Sequence, residues 1–237
     1  MRSIHDNLQA VRGRIARTAA VAGRDPRSVT LLAVSKTHPP ALLEQAFEAG
    51  QRAFGENYVQ EALEKMDALA GSLGEERART VQWHLIGPLQ SNKTRVVAQR
   101  FDWVQSIASE KVARRLSEQR PAHRVPLNVL IQVNLSGESS KSGVAPEGVA
   151  ALANAIAALP SLELRGLMAV PEPTADRALQ RARFGRLREL LDTLPDCADT
   201  LSMGMSDDLE SAIAEGATLV RIGTAIFGAR RRIRPAA

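Results

Sequence analysis

The stretch Thr30-Leu31-Leu32-Ala33-Val34-Ser35-Lys36-Thr37-His38-Pro39-Pro40 decides how this chain folds. Its apolar opening, bounded by polar and proline residues, reads as a short buried strand. Pro39 and Pro40 suit the first turn of a helix, where a missing N–H costs nothing. A lysine at the handover from strand to loop, with a helix directly behind, is the mark of a repeated strand–helix unit.

The same unit recurs in both directions along the sequence. Strand-like runs are expected at Thr30–Val34, Arg52–Phe54, Val81–Ile86, Trp103–Ile107, Leu127–Asn134, Glu163–Val170, Thr200–Met203 and Leu219–Ile222. Amphipathic stretches fall near 40–49, 57–70, 90–99, 109–119, 147–158, 175–193 and 207–215, several opened by Pro, Ser, Asn or Asp. Ahead of them, residues 3–22 place Ile4, Leu8, Val11, Ile15 and Ala19 at helical spacing, with Gly23 as a stop. Eight alternations predict a single (β/α)8 TIM-type barrel, an α/β fold with an extra N-terminal helix, as one domain over residues 1–237. A doubly wound open sheet shares the alternation, but no dinucleotide-type glycine fingerprint supports it.

Composition narrows the function. The chain has 237 residues, 44% of them apolar and 24% charged, enough for a full aliphatic core. Its net charge of +5 comes from scattered arginines and a cluster at Arg230, Arg231, Arg232 and Arg234. With aromatics at only 3%, a stacking surface for nucleic acid is not expected. No signal-peptide core or membrane-length apolar run is visible, and Cys197 is the single cysteine, in a loop after Pro195-Asp196. These features predict a cytoplasmic protein with a tolerated free thiol.

In such a barrel the chemistry belongs at the C-terminal strand ends. Those ends carry Lys36, then Gly55-Glu56-Asn57-Tyr58, then His84, then Ser106 and Ser109, then Asn134, Glu138 and Lys141, then Met168. The last two strands lead into Ser202-Met203-Gly204-Met205-Ser206 and Arg221-Ile222-Gly223-Thr224. Loops after strands seven and eight are common phosphate cradles, and Ser206-Asp207-Asp208 also reads as a helix start. The plainer alternative is an N-cap serine plus a tight turn. Val34 and Lys36 share a strand face, so an inward Val34 brings the amine inward, where burial favours its free base. Lys36 as an ordinary solvated lysine remains open on local grounds. Arg221 likewise shares a face with Gly223, or else forms an ion pair with Glu56 or Glu138. The histidines have no metal-ligand spacing, and His84 has no nearby nucleophile for a triad.

Leu32-Ala33-Val34-Ser35-Lys36-Thr37, Phe54-Gly55-Glu56-Asn57-Tyr58, Trp83-His84-Leu85-Ile86-Gly87-Pro88-Leu89-Gln90-Ser91-Asn92-Lys93, Gln132-Val133-Asn134 with Lys141-Ser142-Gly143, and both C-terminal turns resemble the pyridoxal phosphate homeostasis protein family. The resemblance runs from about residue 30 to residue 228. It implies a barrel similar to the N-terminal domain of alanine racemase, holding pyridoxal 5′-phosphate (PLP) as an internal aldimine on Lys36, with no established turnover. It implies phosphate contacts from Ser206, Gly223, Thr224 and the Met205 backbone, and a pyridine-nitrogen contact from Arg221. Asn57, His84, Ser202 and Met203 fall on positions that line the family's cofactor pocket.

An arginine donor leaves the pyridine nitrogen unprotonated and weakens the ring as an electron sink. Related racemases add a second base on the opposite cofactor face, contributed partly by another domain. Here the eight units are expected to use the whole chain, and Tyr58 serves as that base only if its loop carries it inward. The expectation is a PLP carrier, not an enzyme, acting in intracellular PLP homeostasis with apo PLP-dependent enzymes as recipients, as a monomer or weak dimer. The alternatives are a PLP-dependent amino-acid racemase and a sugar-phosphate lyase using Lys36.

Overall fold

A computed structural model describes residues 3–136, 142–195 and 197–229. Glu138 and Lys141, Asp196 and the arginines at 230, 231, 232 and 234 lie outside the described residues.

Eight parallel strands close into a barrel in sequence order: β1 Thr30–Val34, β2 Ala53–Glu56, β3 Gln82–Leu85, β4 Trp103–Ile107, β5 Leu127–Gln132, β6 Leu162–Met168, β7 Thr200–Ser202 and β8 Leu219–Ile222. Closure is made by β1 against β8, with Leu32 opposite Arg221 and Ala33 opposite Ile222. Parallel neighbours need long crossovers, and helices supply them. They are α1 Ile4–Val21, α2 Pro40–Glu48, α3 Val59–Leu73, α4 Glu75–Ala78, α5 Thr94–Arg100, α6 Glu110–Gln119, α7 Val149–Ala157, α8 Arg177–Leu191, α9 Leu209–Ala214 and α10 Thr224–Phe227.

The expected extra helix is α1, capped by a reciprocal Ser3–Asp6 pair, and it buries Ile4, Leu8, Val11, Ile15 and Ala19. Expected boundaries move in places. The fifth strand stops at Gln132, and Val133 pairs only as an isolated bridge with Val144. The helix expected over 207–215 is shorter, with Asp208 rather than Ser206 at its N-cap.

Two apolar regions result. A large core fills the space between strands and helices, including Ala33, Phe54, Leu85, Val104, Val129 and Val220. A small one inside the barrel joins Leu32, Ala53 and Leu219, with Ile86 packed on it. The rest of the interior includes the polar residues His84, Gln105, Ser202 and Arg221, all buried. Among the described residues no helix is long and apolar enough to cross a membrane.

Candidate functional site

At the C-terminal ends of the strands lies a cleft of about 360 Å³. Lys36 and Val34 of the first unit line it together, as their two-residue spacing predicts. Asn57 and Ile86 form one wall, and Met205, Ser206, Arg221, Gly223 and Thr224 form the other. Lys36 sits in a turn just past β1 and is half-buried. The next residue, Thr37, has φ of 66°, a left-handed conformation that a β-branched residue adopts only under constraint. A larger hollow of about 850 Å³ lies outside the barrel among α1, α8 and α9, lined by Arg17, Val21, Arg177 and Arg181. None of the residues singled out from the sequence lines it, so chemistry and not size selects the cleft.

Arg221 is 4% exposed, and no carboxylate among the described residues contacts it. One terminal nitrogen donates to the Ser202 carbonyl at 2.6 Å and to the Ser202 Oγ at 2.7 Å, and the other to the Ala169 carbonyl at 2.7 Å. Burial pulls its pKa down to about 10, so it remains a cation at neutral pH. Because arginine only donates, the Ser202 hydroxyl hydrogen is free for Gln105 Oε1, 2.6 Å away. The Gln105 amide then donates to His84 Nδ1 at 2.9 Å, which places the histidine proton on Nε2. That Nε2 is buried without a partner, and the ring stacks on Trp103 at 5.1 Å. Burial depresses the His84 pKa to about 3, so the ring is neutral and the relay carries charge only at Arg221.

The turn after β7 needs Gly204, whose φ is 93° and whose added Cβ would lie 2.5 Å from that of Ala212. Gly223 faces the opposite constraint: a Cβ there would stand 2.9 Å from the Val34 carbonyl, so the bare backbone lets β8 pass close to β1. Helix α1 braces this side. Arg14 donates to the Ser206 carbonyl at 2.8 Å and grips Glu210 with two nitrogens, both at 2.7 Å. Asn7 reaches the Ile226 carbonyl at 2.9 Å.

Seven of the ten residues expected at the site line the cleft: Lys36, Asn57, Met205, Ser206, Arg221, Gly223 and Thr224. His84 and Ser202 lie beneath it in the relay behind Arg221. Met203 does not come to the cleft; it is fully buried in the core between strands and helices. The Met205 N–H is taken by Asp208 Oδ1 at 2.6 Å. Glu56 does not pair with Arg221 but with Lys65, at 2.7 Å. Tyr58 is 60% exposed at the N-cap of α3. Sequence reasoning missed Gln105, although a glutamine inside the strand Trp103–Ile107 was a visible signal. It also missed Lys65, a charge on the apolar face of α3 beside Ala62, Met66 and Leu69.

Comparison with known proteins identifies the family. The model of the alanine racemase N-terminal domain matches residues 7–231. A pyridoxal phosphate homeostasis protein of Pseudomonas aeruginosa is 60% identical over 230 residues, covering 97% of each chain. PipY of Synechococcus elongatus PCC7942, solved with PLP bound, is 37% identical with a TM-score of 0.78, over 90% of this chain and all of its own. Alanine racemase of Corynebacterium glutamicum is 18% identical with a TM-score of 0.68, over 97% of this chain and 64% of its own, a likeness of fold. By sequence and by fold, the chain belongs to the pyridoxal phosphate homeostasis protein family.

Proposed function

We propose that this chain holds PLP in the cleft, linked to Lys36, and serves to buffer the cofactor and deliver it to apo-enzymes. The observation that carries this is the convergence of one amine, one buried guanidinium with no carboxylate among the described residues in contact, two hydroxyls and a bare glycine backbone on a single cleft. The cleft also fits the group: its volume falls in the usual range for small-molecule sites, about 300 to 1,000 Å³. Asn57 Oδ1, at its wall, is a buried acceptor without a protein partner. When bound, PLP supplies an aldehyde that condenses reversibly with a lysine amine, losing one water, and a conjugated ring.

Lys36 Nζ provides that amine. Ser206, Gly223 and Thr224 would receive the phosphate, whereas the Met205 N–H is already engaged by Asp208. Arg221 would donate to the ring nitrogen and keep its own proton, which would leave that nitrogen a poor electron sink. His84 acts only through Gln105 and Ser202, fixing the guanidinium. The Pseudomonas aeruginosa relative, 60% identical, is named a pyridoxal phosphate homeostasis protein. Tyr58, the candidate second base, faces solvent. These features support a carrier over a racemase. The exposed, unpaired Cys197 suits a reducing cytoplasm.

The test is to load the purified protein, reduce it with borohydride, and map the pyridoxyl group, which should sit on Lys36. The unreduced loaded protein should activate an apo PLP-dependent enzyme and convert no L-alanine to the D-isomer. Tagging of another lysine such as Lys93 would remove the anchor, and steady D-alanine formation would promote the racemase reading.

A further inference from the structure

Against the residues that flank Lys36, and outside the cleft lining, lies a buried charged cluster. Lys65 Nζ donates to Glu56 Oε1 at 2.7 Å, to Glu61 Oε1 at 2.6 Å and to the Ser35 carbonyl at 2.7 Å. Glu56 Oε1 also accepts the Ser35 hydroxyl at 2.6 Å, and Glu61 Oε1 accepts the Thr37 N–H at 2.5 Å. The Lys65 side chain is 3% exposed, that of Glu56 is fully buried and that of Glu61 is 25% exposed. None of the three lines the cleft.

The cluster therefore grips the residue before Lys36 at two atoms and the residue after it at one, and leaves the cleft to Lys36. A purely structural ion pair between β2 and α3 would not need Ser35 or Thr37 at all. Thr37 is also the single non-glycine residue with positive φ among the described residues. Such strain persists only where the surroundings over-determine it, and the Glu61 carboxylate on the Thr37 N–H does so here.

We propose that Glu61, with Lys65 and Glu56, is a positioning device that locks the Ser35–Thr37 turn and aims the Lys36 amine at the aldehyde. This rests on the reading of Lys36 as the covalent anchor. The device sets how readily the bond between Nζ and the aldehyde carbon forms, with water leaving. It does not set how well the ring and phosphate are held, because those contacts are assigned to Arg221 on β8 and to the turns that follow β7 and β8.

The test compares two ligands: PLP, followed by growth of its visible lysine-linked band, and 4′-deoxypyridoxine 5′-phosphate, which has the same ring and phosphate but no aldehyde, followed by equilibrium dialysis. Glu61→Ala should slow band growth about tenfold or more, because a misaimed nucleophile loses its near-attack geometry. Affinity for the aldehyde-free analogue should stay within about twofold of the parent, since its contacts are untouched. Glu61→Asp keeps the charge but withdraws the acceptor by one methylene, and should be slow as well. Glu61→Gln keeps an acceptor for the Thr37 N–H, and should recover most of the parental rate. Equal losses for both ligands would make the cluster merely structural, and parental rates in Glu61→Ala and Glu61→Asp would overturn the device outright. Borohydride mapping of the parent separates this from the anchor itself: a tag elsewhere than Lys36 defeats both, whereas a tag on Lys36 with unchanged rates defeats only the positioning role.

Discussion

Lys65 and Arg221 are equally buried cations, at 2% and 4% exposure, yet they are compensated in opposite ways. Lys65 sits between the carboxylates of Glu56 and Glu61. Arg221 meets only carbonyl and hydroxyl oxygens. Removing a charge from water costs several kcal/mol, which an opposite charge in good geometry repays. Arg221, with no carboxylate among the described residues in contact, lines the cleft. The lysine holds neighbouring segments together, and on the proposed reading the arginine is kept for an anion or a ring nitrogen. Arginine suits the second task because even the burial that lowers its pKa to about 10 leaves it protonated.

The largest expected effect comes from breaking the compensated side. Lys65→Met leaves Glu56 buried without its cation and should cost about 3 to 5 kcal/mol in urea unfolding. Adding Glu56→Leu should recover much of the loss. The pH dependence has a definite sign. Burial, outweighing Lys65 and Ser35, already holds the Glu56 carboxyl above the usual carboxylate range. A carboxyl raised in the folded state contributes stability at low pH that is lost as pH rises through its folded pKa. Without Lys65 that rise grows, so the deficit of Lys65→Met should be smaller at pH 5 than at pH 8. A pH-independent deficit would clear Glu56 of responsibility.

On the uncompensated side, Arg221→Gln strands no carboxylate and should leave folding less affected. It should weaken the affinity for 4′-deoxypyridoxine 5′-phosphate by roughly 1.5 to 3 kcal/mol, the worth of a hydrogen bond involving a charged group, about ten- to a hundredfold by equilibrium dialysis. A larger loss of stability than in Lys65→Met would contradict the distinction between the two cations.

The smallest effect sharpens the same contrast at the far end of the relay. His84 titrates at about 3 in the fold against 6.5 ordinarily, so its stabilising contribution is present above pH 6.5 and fades as pH falls toward 3. Between pH 7 and pH 6 this amounts to about 0.7 kcal/mol. His84→Gln should remove that slope from the urea midpoints, and an unchanged slope would assign it to another group.

Much of this was legible in the residues. The runs that became β1, β4 and β8 were read with their observed boundaries, and the buried face of α1 is the one its spacing implied. Lys36, Arg221, Gly223 and Thr224 could be placed together because barrel strands end on one rim. Met203 marks the limit of that reading: neighbouring strand residues face opposite sides, and Ser202 joins the relay while Met203 is buried in the core between strands and helices. The shortened α9 was not avoidable, since Asp208 caps the Met205 N–H through a turn that no local pattern announces.

The amino-acid sequence by itself determined the alternation of strand and helix, the strand-end lysine and the two glycine turns, because those are properties of near neighbours and of period. Which polar groups meet inside was decided only by tertiary structure. The relay joins residues on β3, β4, β7 and β8, and the Lys65 cluster draws on the β1 turn, β2 and α3. Closing a parallel barrel sets such distant residues side by side, and whether a buried charge is cancelled or left to act depends on that register and not on any local motif.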